Sequence, residues 1–230
     1  MIPIGDNIPT ERFPFVTSSL IAVNLIVFVY ELGLGSELAA FFAANGVVPQ
    51  SVGIEAFTAD PRGLSGRFVS SLFIHGGWLH LGGNMLYLWI FGDNVEDRLG
   101  PLKFLAFYLA SGFLATGAHI LSAPESSEAI VGASGAIAGV LGAYLVMFPG
   151  ARIFILIPLL IFFPVISIPA VFALGFWFLE QVVSGTGALG DSTASVNVAW
   201  WAHIGGFLAG MVIVRFFGGR RERFRPTRYR

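Results

Sequence analysis

Long uncharged apolar runs alternate along the chain with short clusters of charge, and a membrane span needs about 18 or more residues with few or no charges. Six runs meet that length: residues 13–30, 68–92, 104–124, 129–151, 153–179 and 192–214. A seventh apolar stretch, 38–54, is interrupted by Asn45, Gly46 and Pro49, and is expected to form part of a long, partly interfacial connection before the second span. The fifth run carries Pro158, Pro164 and Pro169. Because proline is best tolerated in a first helical turn, that helix is expected to start near Pro169, leaving 152–167 as an apolar loop half buried at the cytoplasmic face. The pattern predicts an all-α polytopic membrane protein. Its parts are a cytoplasmic N-terminus (1–14), a six-transmembrane-helix bundle (15–217) and a basic cytoplasmic tail (218–230).

Composition agrees and narrows the class. The 230 residues are 55% hydrophobic and 12% charged, with a mean hydropathy of +0.77. A soluble domain carries about 25% charged residues, so an ordinary globular enzyme is excluded. Disorder is excluded too, since it needs low hydrophobicity and high net charge and the formal charge is −1. A pI of about 6.4 argues against nucleic acid as a partner. With no Cys there is no disulfide, thiolate metal site or catalytic thiol. The positions of the basic residues set an orientation: with the N-terminus cytoplasmic, eleven of the 13 Lys and Arg fall on the inside, and only Arg62 and Arg67 lie outside. The tail from Arg215 to Arg230 is suited to anionic lipid or to fixing topology.

Polar groups inside a bilayer are costly and point to function. The second run contains His75, His80 and Asn84, the fourth opens Gly132-Ala133-Ser134-Gly135, and the sixth contains Ala202-His203-Ile204-Gly205-Gly206. In this topology the three runs all travel from outside to inside, and each polar group lies early in its run. At 1.5 Å per residue, His80, Ser134 and His203 sit about 18 to 21 Å from the cytoplasmic ends, hence roughly 10 Å below the outer surface of a 30 Å core. His80 and Asn84, four apart, share a helical face. Ser134 falls at or near a helix start, where free N–H groups and the dipole favour an anion. A serine, a histidine base and donors for an oxyanion are the parts of acyl transfer.

Each feature also has a plainer explanation. Gly135, Gly139 and Gly142 with Gly206 and Gly210 form small-xxx-small stripes that serve close helix packing, which also suits bringing Ser134 to His203. A lone membrane serine usually bonds its own i−4 carbonyl. Glu180, an intramembrane carboxylate, is expected to reach the outer interface near the end of its helix. His75 and His80 lack a third ligand for zinc, and no metal or other cofactor is expected.

Taken together, His80-x-x-x-Asn84, Gly132-x-Ser134-Gly135-x-x-x-Gly139 and Ala202-His203-x-x-Gly206-x-x-x-Gly210 closely resemble the rhomboid family of intramembrane serine proteases. The resemblance implies a six-helix rhomboid-like bundle and a Ser–His dyad, with Ser134 as nucleophile and His203 as base and then acid. It also implies an oxyanion hole from the Ser134 N–H and the His80 and Asn84 side chains. Transmembrane protein substrates within the lipid bilayer follow from it, as does a bacterial plasma membrane with both termini cytoplasmic. The alternative is a non-proteolytic rhomboid-like protein that binds membrane clients, and the retained serine and histidines argue against it. Two departures stand out. Many rhomboids carry an aromatic residue four positions after the serine, where this chain has Ala138, with Trp200 or Trp201 as possible substitutes; and Gly66-Arg67 stands where Trp-Arg is frequent, with Arg67 expected to anchor the first external loop and His75 to support it.

Overall fold

The computed structural model describes residues 2–53, 60–159, 162–188 and 199–217. Each of the six runs contributes a helix. They are α1 (Phe15–Leu32), α4 (Trp78–Leu99), α5 (Pro101–Ser122), α6 (Ser134–Met147), α7 (Ala170–Ala188) and α8 (Trp200–Phe217); α2 (Leu38–Asn45) and α3 (Pro61–Ser70) lie in the connection between the first two runs. Among the described residues, α1, α5, α7 and α8 are long and apolar enough to cross a membrane. Helix α6 is apolar but has only 14 residues, and α4 has 22 residues but carries Asp93, Glu96, Asp97 and Arg98 in its last turns.

Two expectations need correction. The all-α fold class omits a three-stranded antiparallel sheet in the order β1-β2-β3, formed by β1 (Ile2–Asp6), β2 (Arg152–Leu156) and β3 (Val165–Pro169). The segment expected to be a loop after Arg152 is thus largely a hairpin, and residues 2–6 are its third strand. Proline is compatible with strand ends and edges, and here Pro164 and Pro169 flank and close β3. The second concerns the charge-free run 68–92: its helix, α4, continues past Asp93 to Leu99, and carboxylates in that last stretch serve the chain's own N-terminal segment. The Glu96 carboxylate accepts from the Val16 and Thr17 N–H groups at 2.9 and 2.7 Å, capping the first turn of α1. The expected helix start at Pro169 is one residue from the observed Ala170.

Helices α5, α6 and α8 make the tightest part of the bundle, and glycine allows it. A Cβ at Gly206 would run into the Gly135 carbonyl, and one at Gly210 into that of Gly139. Backbones in such contact gain dispersion over their whole length, which is the main attraction available between helices in lipid. Gly206→Ala is therefore expected to destabilise by about 1–3 kcal/mol through overpacking. The control Gly117→Ala in α5 meets nothing within 4 Å and should hold or gain stability; the comparison is read as unfolding temperature in detergent.

The sheet packs at the end of α6 remote from Ser134. There Asp6 Oδ2 accepts from Tyr144 Oη (2.8 Å) and Asn94 Nδ2 (3.0 Å), and Oδ1 accepts from the Ile8 N–H (2.7 Å). Burial pushes the Asp6 carboxyl up to about 6 from 3.8. Since the folded state binds this proton more tightly than the unfolded state, its stabilising contribution is full below about pH 4 and is lost as pH rises through about 6. Asp6→Asn should flatten that part of the curve, measured as unfolding temperature against pH beside the wild type.

Candidate active site

Helix α6 starts at Ser134 itself, and the residue before it, Ala133, offers no side-chain acceptor to the first turn. The N–H groups there are left for an anion above Ser134. The chain enters this helix through Gly132 at φ 114°, a conformation that disfavours any side chain. A Cβ at that position would lie 2.6 Å from His80 Nε2 and 3.6 Å from Asn84 Nδ2. His80 and Asn84 thus face the backbone immediately before the serine, from one face of α4.

His203, from the first turn of α8, meets the serine across the glycine contact. Its Nε2 lies 2.8 Å from Ser134 Oγ. Its Nδ1 lies 2.7 Å from Gln181 Oε1, on α7. The Trp177 ring packs against the imidazole at 5.9 Å between centroids with the planes tilted by 37°, and Trp200 meets it edge to face at 6.2 Å.

The opposite wall is polarised in a defined sense. The Gly76 N–H donates to His80 Nδ1 at 3.3 Å, so in the neutral ring Nε2 carries the proton, on the side facing Gly132. Asn84 is 7% exposed, yet its Nδ2 has no hydrogen-bond partner among the described residues. A buried donor left unpaired costs free energy unless a ligand group satisfies it. Ser134, His80 and His203 keep partial exposure, which leaves a way in for substrate and water.

A family model of the rhomboid domain matches residues 64–220. The chain belongs to the rhomboid family. It is 32% identical over 166 residues to "Rhomboid protein 1, mitochondrial" of Saccharomyces cerevisiae, covering 70% of the chain and 44% of the relative. To "Rhomboid protease GluP" of Bacillus subtilis it is 33% identical over 137 residues, 60% of the chain and 24% of the relative. To human "Presenilin-associated rhomboid-like protein, mitochondrial" it is 28% identical over 172 residues, 71% of the chain and 41% of the relative. This rhomboid spans less than half the length of each of these three relatives. It is an integral membrane protein of a family that includes proteases.

All four site residues named from sequence converge in this rhomboid: Ser134 on His203, His80 and Asn84 beside Gly132. The Arg67 guanidinium has no partner among the described residues. The described part of the connection is tied by Ser70 Oγ donating to the Asn45 carbonyl (2.6 Å) and by the His75 N–H donating to the Glu31 carboxylate (3.2 Å), so His75 supports it through its backbone. Of the suggested substitutes for an aromatic at Ala138, Trp200 meets the histidine edge to face, and Trp177 packs against it at a tilt of 37°. Sequence reasoning missed Trp177 and Gln181 altogether. Their spacing of four, which sets both on one face of a largely apolar helix beside Glu180, was the available signal.

Proposed function

We propose that this rhomboid is an intramembrane serine endopeptidase that hydrolyses peptide bonds in or near transmembrane segments of membrane proteins. The observation that carries the proposal is the 2.8 Å contact between Ser134 Oγ and His203 Nε2. In the mechanism, Nε2 takes the hydroxyl proton as Oγ attacks the scissile carbonyl, and the carbonyl oxygen becomes an oxyanion. The Ser134 N–H, His80 Nε2–H and Asn84 Nδ2 stabilise that charge. Collapse of the tetrahedral species breaks the C–N bond, with His203 returning its proton to the leaving amine. Water, activated by the same histidine, then hydrolyses the acyl-enzyme and regenerates Ser134. A helical substrate must unwind first, because its carbonyls are hydrogen-bonded along the helix, so segments rich in small or helix-weakening residues suit the site.

In this proposal residues 15–217 are the protease domain and α1 with α4 to α8 are its six spans. The basic residues after Phe217, which lie outside the described residues, stay on the cytoplasmic side with the N-terminus. The bacterial plasma membrane is the proposed location; the relatives named as mitochondrial make an organelle membrane the competing one. The test treats purified protein in detergent with a fluorophosphonate and a transmembrane substrate. The expected result is cleavage, with the label mapped to the peptide containing Ser134. Folded protein that neither cleaves nor takes the label overturns the proposal.

A further inference from the structure

A serine–histidine pair without an acidic third member leaves open what keeps the imidazole in the working tautomer. For Nε2 to accept the serine proton, the neutral ring must carry its own proton on Nδ1, and something must accept a hydrogen bond there. The atom at that position is Gln181 Oε1, 2.7 Å away, and the Gln181 side chain is 2% exposed.

An amide presents a donor at one end and an acceptor at the other, so its orientation decides everything. Here the surroundings settle it. Gln181 Nε2 lies 3.0 Å from Glu180 Oε2 and 3.2 Å from the Trp177 carbonyl. Both neighbours are acceptors only. Turning the amide over would set its oxygen against a carboxylate and a carbonyl, and would aim an NH2 at Nδ1, forcing the proton onto Nε2, where it could not receive the one from Ser134.

Resting on the protease reading above, we propose that Gln181 is the positioning residue of the dyad, held by Glu180 and the Trp177 carbonyl so that its Oε1 fixes His203 as the Nδ1–H tautomer. The chain Glu180–Gln181–His203–Ser134 then does with a neutral amide what a buried carboxylate does in a triad. A neutral acceptor is suited to this depth, because an ionised group beside His203 would have to be desolvated in lipid. The arrangement also makes α7 part of the catalytic assembly. Gln181 and Trp177 both reach His203 from that helix, so any outward swing of α7 releases the imidazole's hydrogen bond and its ring contact together.

The test reads the tautomer directly. In protein labelled with 15N-histidine, with the His203 signals assigned by comparison with His203→Ala, the wild type is expected to show Nδ1 protonated and Nε2 bare. Gln181→Leu, which keeps the volume but has no acceptor, is expected to show a mixture of tautomers. Its fluorophosphonate labelling should slow by roughly tenfold to a hundredfold, the range seen when the second nitrogen of a metal-bound histidine loses its hydrogen-bond partner, and less than the loss of a triad carboxylate. The loss should fall on kcat and leave KM in place. Gln181→Glu supplies an acceptor to Nδ1 again but sets its second oxygen against Glu180 and the Trp177 carbonyl, so it should restore the Nδ1–H tautomer while recovering only part of the rate; Glu180→Ala should lose less than Gln181→Leu because the Trp177 carbonyl remains. A wild-type His203 protonated on Nε2, or a Gln181→Leu protein with unchanged tautomer and rate, overturns the proposal. Failure of the wild type to label at all overturns the protease reading instead, and the tautomer measurement still decides the role of Gln181.

Discussion

Ser134→Ala, His203→Ala and the double variant are each expected to lose on the order of 10^4- to 10^6-fold in kcat for a transmembrane substrate, and the double should be scarcely worse than either single. The reason is that the two groups act as one. At 2.8 Å, the hydroxyl is a useful nucleophile only while Nε2 takes its proton, and Nε2 has no task once the hydroxyl is gone. The energies therefore do not add. Fluorophosphonate labelling should vanish in Ser134→Ala, whose unfolding temperature should stay near that of the wild type because the serine is only half buried. His203→Ala removes a ring packed at a tilt against Trp177 and is read by activity relative to folded protein. Labelling that persists in Ser134→Ala, or a double variant far worse than the singles, would show that nucleophile and base are misassigned.

How much of this was legible beforehand follows from which interactions are local. The start of α6 at Ser134 and of α7 next to Pro169 were readable because glycine and proline act on their own backbone. The glycine stripes on α6 and α8 announced their close approach, and charge spacing singled out His80, Ser134 and His203 at matching positions early in their runs. The sheet was not readable. Residues 152–169 are apolar on both faces, without a period, and β2 finds one partner within its own hairpin but the other in residues 2–6, about 150 positions away. Nothing within a local window can encode that pairing. The end of α4 was misplaced for a related reason: Asp93 and Glu96 look like the edge of a span, whereas Glu96 is 3% exposed and satisfies N–H groups of α1. Gln181 escaped because a search for intramembrane function that counts charges passes over an amide. It stopped instead at the adjacent Glu180, whose carboxylate supports the amide without touching His203.

Asn84→Ala should lower kcat by roughly 10^2- to 10^3-fold with little change in KM, the cost of removing one donor from an oxyanion hole. The ground-state carbonyl needs this donor less than the oxyanion does, so the loss is confined to the chemical step. Asn84 Nδ2 is buried and has no partner among the described residues, so the resting protein already holds the donor out of water for a charge that forms only during reaction. That preorganisation carries a cost in the empty enzyme, and Asn84→Leu, of similar size without the orphaned amide, is predicted to be at least as stable as the wild type while nearly inactive. His80→Ala should cost activity on the same scale. There the Gly76 N–H bond to Nδ1 gives a finer check: a side chain unable to accept at that position frees Gly76 and loosens the turn that leads into α4. A stable, fully active Asn84→Leu would remove this residue from the oxyanion site. A less stable, inactive one would mean that Nδ2 serves the fold after all. Stability gained as activity falls is the pattern that a site strained for its transition state must give.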